Sequence, residues 1–352
     1  MGYRNRHSVG LLFVVVLLLS GTGIWSEPVG TIEYLENDPQ IVRNGRVFTG
    51  TVHFGFELRN LDLIRTGDSA LVEFSLYPGS GIQGEIIVHS NSEFYLSFDE
   101  SRNESNVNLL RGSSSFSIER LPRGRTFSVR TSGAVMGVRG TDFSVDTSAR
   151  GEYLVTVGEG RVEVRSEGGE TVAALPGQAV EYTVLNGFRA IAVESGQEHR
   201  FRRSWMQQRL QALRADPDAA LENFAGRYRE NRDTFNRLYE ELMQQQEIID
   251  RWIREDRQGL ESSTMEQMRQ KTAVAGSLMR MAAHLILFER VYYRVVELRE
   301  TLVGADFDQP QVDPEEFSQE FDRDAAMLRD RMNMVRYVMR LYAERNNGRL
   351  PF

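Results

Sequence analysis

The fold is decided by the stretch Thr126-Phe127-Ser128-Val129-Arg130-Thr131-Ser132-Gly133-Ala134-Val135-Met136-Gly137-Val138-Arg139-Gly140-Thr141-Asp142-Phe143-Ser144-Val145. Two runs in which apolar and polar residues alternate flank a turn that is rich in glycine. Alternation of this kind is typical of strands with one buried face. Phe127 and Val129 then lie on one face of the first strand, and Ser128 lies on the other. The stretch therefore predicts two strands joined by a tight turn.

The same alternation continues from Val29 to about Glu194 and predicts an N-terminal all-β domain at residues 27–195. A triplet of phenylalanine, serine and an aliphatic residue recurs within it. The copies are Phe74-Ser75-Leu76, Phe116-Ser117-Ile118, Phe127-Ser128-Val129 and Phe143-Ser144-Val145. Stacked coils of a β-solenoid would explain the recurrence. The irregular spacing suits a roll or sandwich of short strands, so both architectures are open, with the solenoid slightly favoured.

After Gly196 the apolar period becomes that of helices, and glycine nearly vanishes. We expect a connector helix at residues 196–215, followed by an antiparallel helical bundle at residues 216–352. Acidic or hydroxyl caps mark the starts of three long helices. These starts are Asp216-Pro217, Ser262-Ser263 and Asp313-Pro314. The sequence thus predicts a two-domain chain, β and then α.

The first long helix carries an apolar stripe from Leu221 to Trp252, about five heptads long. Polar Asn231 and Gln245 fall at two positions of this seam. Buried amides at such positions can specify register and oligomeric state. Self-association through the bundle is therefore a hypothesis, beside the more ordinary interpretation of an intramolecular core.

The N-terminus predicts export. Arg4 and Arg6 precede an apolar run from Val9 to Leu19, which is about 11 residues and too short to span a bilayer. Small residues follow this run. We expect a secretory signal peptide at residues 1–26 and a periplasmic or secreted protein that is not integral to the membrane after cleavage. An uncleaved anchor is the alternative.

Composition excludes several classes of function. The chain has no cysteine, which excludes disulfides, thiol catalysis and cysteine-ligated zinc. Its formal net charge of -8 argues against a nucleic-acid partner. The histidines are dispersed, without metal-ligand spacing, so we expect no metal site and no cofactor. The segment Gly79–Gly84 has the glycine spacing of dinucleotide sites but leads into a strand, so we interpret it as a turn.

Three separated elements resemble the signature of the FecR domain family. The first is Leu61–Ala70, in which Leu61 stands where the family usually has glycine. The second is the central stretch, where Ser132 replaces the usual proline before the Val-Arg-Gly-Thr-x-Phe segment. The third comprises the Glu-Gly-x-Val turn of Val157–Val162 and the Pro-Gly-Gln turn of Leu175–Gln178. The family positions that we interpret as structural are Asp62, Thr66, Gly67, Thr131, Gly133, Gly137, Val138, Gly140, Phe143 and Gly177.

The resemblance implies a periplasmic β domain. In the best-known members it also implies relay of a signal from an outer-membrane receptor to a sigma factor. Those members have a cytoplasmic anti-sigma region before their membrane helix, whereas about eight residues precede the apolar run here. We therefore expect a non-catalytic exported adaptor or scaffold that contacts an envelope protein, peptidoglycan or another glycan. A signalling component without its own anti-sigma region and an envelope enzyme acting on glycan or peptide are the alternatives.

Arg139, Thr141 and Asp142 are the candidate binding residues. A guanidinium held between Val138 and Gly140 could clamp a carboxylate or an envelope glycan. The more ordinary interpretation of Arg139 is an ion pair with an internal acid that fixes the turn.

Overall fold

The structure is a computed structural model that describes residues 28–77, 81–119, 121–260 and 262–351. The predicted signal peptide and the first two residues of the Gly79–Gly84 segment lie outside this range. Within it, no helix is both long enough and apolar enough to cross a membrane.

The N-terminal half folds into short strands, as the alternating pattern predicts. Their bounds are β1 Pro28–Glu36, β2 Gln40–Arg43, β3 Arg46–Phe48, β4 Glu57–Arg59, β5 Leu63–Arg65, β6 Leu71–Leu76, β7 Gly84–Val88, β8 Glu93–Asp99, β9 Glu104–Arg111, β10 Ser113–Ile118, β11 Thr126–Arg130, β12 Ala134–Val138, β13 Thr141–Thr147, β14 Tyr153–Glu159, β15 Val162–Ser166, β16 Thr171–Ala174, β17 Gln178–Thr183 and β18 Gly187–Ala192.

These strands form two nine-stranded sheets. Sheet A has the order β18-β17-β14-β13-β10-β7-β6-β1-β4, and sheet B has the order β16-β15-β12-β11-β9-β8-β5-β2-β3. Neighbouring strands are antiparallel, apart from the parallel pair of β9 and β11. Neither sheet closes, so the domain is a sandwich, and the slightly favoured solenoid is not found. Antiparallel hairpins such as β11–β12 return the chain within one sheet, whereas solenoid coils would stack their strands in parallel.

The phenylalanines of the recurrent triplet fill the layer between the sheets. Phe74, Phe116, Phe127 and Phe143 all belong to one buried cluster. The rings of Phe116 and Phe143 stack across β10 and β13, with centroids 4.7 Å apart and planes 13° apart. The period-two interpretation therefore assigned the faces of these strands correctly.

Five helices follow and pack together. They are α1 Glu198–Ala215, α2 Pro217–Met243, α3 Gln246–Gln258, α4 Thr264–Thr301 and α5 Pro314–Glu344. Side chains of Asp216, Ser263 and Asp313 accept hydrogen bonds from backbone N–H groups in the first turns of α2, α4 and α5. These are the predicted caps, and they set the three predicted helix starts.

The stripe from Leu221 to Trp252 does not form one helix. The chain breaks after Met243, and Gln245 precedes α3 as its N-cap residue, outside any seam. The break redirects α3, and Trp252 donates a hydrogen bond to Gln270 of α4 at 2.7 Å. The side-chain amide of Asn231 donates a hydrogen bond to Arg227 O of the same helix at 2.8 Å. The prediction of two polar seam residues on a continuous heptad stripe is therefore wrong.

The helices form an antiparallel bundle centred on α4. Phe235 of α2 stacks on Phe288 with ring centroids 4.4 Å apart, and Tyr292 contacts Phe321 of α5 at 5.1 Å. Arg280, nearer the start of α4, pairs with Glu241 near the end of α2. The order of contacts shows that α4 runs opposite to α2.

Both outer faces of the sandwich carry helices. On sheet A, Trp205 of α1 packs on Leu154 and Ala179. On sheet B, Leu63 and Tyr95 belong to the same apolar cluster as the cores of α2, α4 and α5. Every residue of β8 is buried as a result, because the interlayer core covers one face and the helices cover the other. Sheet B and the bundle therefore share one core.

A buried carboxylate organises this shared interface. Glu93 of β8 is 2% exposed and accepts from Arg65 Nε at 2.7 Å and from Arg111 Nε at 2.6 Å. Arg111 also donates to Glu300 of α4 at 2.6 Å. Burial alone would lower the pKa of Arg111, but Glu93 and Glu300 outweigh it and raise that pKa above its usual value.

Replacing Glu93 by glutamine should lower the free energy of unfolding by about 3 kcal/mol, because Arg65 loses its carboxylate and the buried Arg111 keeps only the exposed Glu300. Urea-induced unfolding followed by tryptophan fluorescence measures this change. Glu300→Gln is the matched control, since Glu300 is 58% exposed and its loss should cost at most about 1 kcal/mol. Equal effects of the two substitutions would contradict the role of Glu93 as the carboxylate that organises the interface.

Leu61 occupies a backbone conformation that favours glycine. Its φ is 66°, and its side chain is only 5% exposed, within the cluster shared with the helices. A left-handed conformation costs a residue with a Cβ about 1–2 kcal/mol. The burial of the leucine side chain against the helices offsets this cost, which explains how leucine can stand where the family usually has glycine.

Both Leu61→Gly and Leu61→Ala should destabilise the protein, because each removes the buried side chain. Alanine keeps the backbone strain that glycine relieves, so the glycine variant should be the more stable of the two by about 1 kcal/mol. Urea unfolding of both variants checks this order. A more stable alanine variant would show that the backbone at this position is unstrained.

Candidate functional site

The turn of the β11–β12 hairpin is built by its motif residues. Thr131 Oγ1 accepts from Ala134 N at 3.2 Å, and Thr131 N donates to Ala134 O at 2.9 Å. A Cβ on Gly133 would lie 3.0 Å from the ring of Tyr153. Thr131 therefore closes the turn, and Gly133 lets Tyr153 approach it.

The Val-Arg-Gly-Thr segment carries the chain from sheet B to sheet A. The stretch Thr126–Val145 therefore belongs to three strands, β11, β12 and β13, and the prediction of two strands joined by one turn is wrong. Val138 and Phe143 are anchored in the interlayer core on either side of the crossing. Gly140 has a φ of +64°, and a Cβ on Gly160 would lie 2.4 Å from its carbonyl oxygen. Glycine is thus required where these two turns meet.

Asp62, Thr66 and Gly177 also have structural contacts or conformations, whereas the geometry at Gly67 and Gly137 does not require glycine. Asp62 accepts from Arg43 Nε at 2.9 Å, while Thr66 Oγ1 donates to a backbone carbonyl at 2.5 Å. Burial raises the pKa of Asp62, although Arg43 acts in the opposite direction. Gly177 has a φ of +77° in the predicted turn. Gly67 has an ordinary φ and open space around its Cα, so nothing in its geometry requires glycine.

Arg139 lies at a basic cleft, which we call the signature cleft. Its volume is about 600 Å³. Among the described residues, the charged side chains that line it are Arg123, Arg125, Arg139, Arg161 and Glu163. The one carboxylate among them, Glu163, pairs with Arg161 at 3.2 Å. Gly137 also lines the cleft, so part of its wall carries no side chain.

The side chain of Arg139 is exposed. Across the residues that the structure describes, no acid forms an ion pair with it and no acceptor bonds it. The interpretation of Arg139 as an internal ion pair that fixes a turn is therefore wrong. A solvent-facing guanidinium beside other arginines is suited to bind a carboxylate or phosphate.

Thr141 and Asp142 do not join Arg139. Thr141 is 2% exposed, and its hydroxyl is buried without a hydrogen-bond partner in the described structure. Asp142 is exposed on the outer face of sheet A. Successive strand residues point to opposite faces, and the chain changes sheets between Arg139 and Asp142. The three candidate binding residues therefore do not form one site.

Asp142 instead lines a groove beside α1, with a volume of about 280 Å³. Ser115 and Ser144 also line this groove, with their Oγ atoms 2.9 Å apart, and His89 Nε2 lies 2.8 Å from Ser115 Oγ. These residues belong to or follow three different strands, 26 or more positions apart. The histidines are dispersed in the sequence. His89 meets the two serines only because distant strands pair in sheet A.

Among the described residues, no side chain bonds the second ring nitrogen of His89 in this serine and histidine cluster. A catalytic histidine needs a group that orients its second nitrogen. The nearby carboxylate of Asp146 instead accepts from Arg202 Nε at 2.7 Å and from Ser113 Oγ at 2.6 Å. Burial lowers the pKa of His89 to about 4, and Arg202 acts in the same direction. The histidine is thus neutral and weakly basic at pH 7, which suits a cross-strand hydrogen bond better than proton transfer.

The described residues contain no group of three or more metal-ligating side chains that could hold a metal ion.

The fold and its signature define a β-sandwich module with appended helices. Residues 62–163 match the family model described as FecR protein, and this chain therefore contains a FecR domain. Two crystal structures of a "putative anti-sigma factor" from Parabacteroides distasonis are similar at 21% sequence identity. The matched region covers 38% of this chain and 61% of that chain, with a TM-score of 0.33. No curated protein matches the chain.

The buried His89 predicts a specific pH dependence of stability. Because its folded-state pKa lies below the usual 6.5, the neutral form is favoured by folding. The contribution is present above pH 6.5 and is lost as the pH falls towards 4. Between pH 7 and pH 4, the unfolding free energy of the native protein should fall by about 2 kcal/mol more than that of His89→Gln. Urea unfolding at several pH values measures both, with the exposed His53→Gln as a control that should follow the native protein.

Proposed function

We propose that this protein is a non-catalytic binding module of the cell envelope. In this proposal the FecR domain binds an anionic group of an envelope glycan or protein through the signature cleft, and the helical bundle supports assembly or a protein partner. The signature cleft carries the proposal, because it gathers four arginines and one carboxylate in a chain whose formal net charge is -8.

The contrast between the acidic chain and its basic signature cleft supports anion binding. An acidic protein surface repels anions at long range, whereas a concave cluster of guanidinium groups attracts them locally. Arg139 offers planar donors that fit a carboxylate or phosphate. The glycine at position 137 leaves room for a ligand to approach the strand closely. Peptidoglycan and acidic envelope glycans carry carboxylates of this kind.

The envelope location rests on the apolar run from Val9 to Leu19 after basic residues. The partner role of the helices is supported by exposed apolar side chains near the α3–α4 turn. Met265 is 85% exposed, Met268 is 62% exposed and Leu260 is 58% exposed. Flexible methionines are frequent at surfaces that adapt to protein partners.

A pull-down of the full-length protein with purified peptidoglycan sacculi tests the cleft. Arg139→Gln should weaken the affinity of the protein for sacculi by about tenfold, because one charge-assisted hydrogen bond contributes about 1.5 kcal/mol. Retention should also fall as salt increases, since the contact is exposed.

Arg46→Gln is the matched control, because Arg46 is an exposed arginine on β3, outside the cleft. It should bind sacculi like the native protein. If native protein and Arg139→Gln are retained equally, or if neither is retained, the cleft is not the recognition site for this polymer.

A further inference from the structure

A second cavity lies where the sandwich meets the helices, and we call it the interdomain cavity. Its volume is about 640 Å³, within the range of small-molecule sites. The turn at Ser132 and Gly133, with Tyr153, forms part of the sandwich wall, while Arg290 and Arg294 of α4 lie on the helix wall. No described residue lines both this cavity and the signature cleft.

The cavity is rich in cations. Arg150, Arg227, Arg290 and Arg294 line it, against the two acids Glu167 and Glu170. Arg294 is 1% exposed and held in place: its Nη1 donates to Ser148 O at 2.5 Å and to Glu297 at 2.6 Å, and its Nη2 donates to Ser132 Oγ at 3.3 Å. A guanidinium fixed in this way is positioned before any ligand arrives.

Several polar groups of this wall have no protein partner. Arg294 Nε and the hydroxyl groups of Tyr153 and Ser166 are buried without a hydrogen bond within the described structure. Such groups are destabilising, and buried polar atoms in native proteins are normally paired. Arg294 and Tyr153 are each 1% exposed, so bulk water does not solvate them. Their grouping behind one cavity leaves this wall with unmet hydrogen-bonding capacity.

Arg290 is a partly desolvated cation of this cavity whose side chain has no partner among the described residues. It is half-buried, and no hydrogen bond or ion pair joins it to another described residue. Burial lowers its pKa, and Arg130 acts in the same direction, while Tyr95 and Glu167 oppose them. A desolvated guanidinium without a close carboxylate gains strongly from a bound anion.

Aromatic rings form the facing wall. Tyr153 and Tyr182 stack across β14 and β17 with centroids 5.8 Å apart, and Phe188 of β18 lies 6.4 Å from Tyr153. Tyr182 is 37% exposed, so part of its ring remains available to a ligand. Flat apolar walls of this kind bind rings, including the apolar faces of sugars.

We propose that the interdomain cavity binds a small organic anion, whose carboxylate or phosphate contacts Arg290 and whose ring packs against Tyr182 and Phe188. An acidic sugar and an aromatic acid share this chemistry, and the two are distinguished by experiment. The site does not depend on the proposed role of the signature cleft.

Titration calorimetry and thermal denaturation of the full-length protein test the proposal. The probes are glucuronate and phenyl phosphate, with glucose, phenol and inorganic phosphate as controls. At least one of the two organic anions should bind and raise the Tm, and it should bind at least about tenfold more tightly than its neutral counterpart and than inorganic phosphate. Glucuronate binding alone assigns the site to acidic sugars, and phenyl phosphate binding alone assigns it to aromatic anions.

Arg290→Met should weaken this binding by at least about tenfold while leaving the Tm of the free protein unchanged or higher, because the arginine forms no stabilising pair. Arg269→Met, at an exposed position of the same helix, should bind like the native protein. Tyr182→Ser should weaken binding of the ring-bearing probe and leave the fold intact, since the ring is partly exposed.

Three results would overturn the proposal: no binding of either organic anion, equal binding of inorganic phosphate, or unchanged affinity in Arg290→Met. Arg139→Gln serves as a further control and should bind these probes normally. Loss of sacculus binding and loss of small-anion binding are thereby measured separately, so one proposal can fail without the other.

Discussion

The carboxylate of Glu93 is the constraint on which the two halves of this protein depend. It is buried between sheet B and α4, where an unpaired charge would be strongly destabilising. Arg65 and Arg111, from the two neighbouring strands, both donate hydrogen bonds to it. Arg111 also donates to Glu300 of α4. The charge cluster therefore fixes α4 on the sheet at one position, whereas the apolar contacts around it would tolerate small shifts.

The departures of this chain from the FecR pattern fall at the same interface. Leu61, at a glycine position, lies in the apolar cluster shared with the helices. Ser132, at a proline position, accepts a hydrogen bond from Arg294 of α4. Both substitutions exchange a local backbone preference for a contact with the helical half. Leu61 and Ser132 thus both contact the helical half of the chain.

Much of the fold could be predicted from local signals. Period two assigned the core faces of β10, β11 and β13, and the caps at Asp216, Ser263 and Asp313 set three helix starts, because both signals act within a few residues. The break before Gln245 was missed, since an apolar stripe can continue across a short turn. The solenoid was favoured over the sandwich because recurrence in sequence does not reveal strand direction.

The candidate sites were less predictable, for a physical reason. Arg139 was found because a family motif surrounds it, but its exposure depends on how the chain crosses between sheets. The contact of His89 with Ser115 and the cavity around Arg290 arise from pairing and packing of distant segments. No spacing in the sequence encodes such neighbours.

The shared core has a consequence for dissecting this protein. The outer face of sheet B presents Leu63 and Tyr95 to the bundle, so a fragment that ends before α1 would expose a broad apolar sheet surface to water. Such a fragment is prone to aggregate, and its failure to bind a partner would report misfolding and not a missing contact. Substitutions within the intact chain, in preference to truncation, can therefore assign a role to each half.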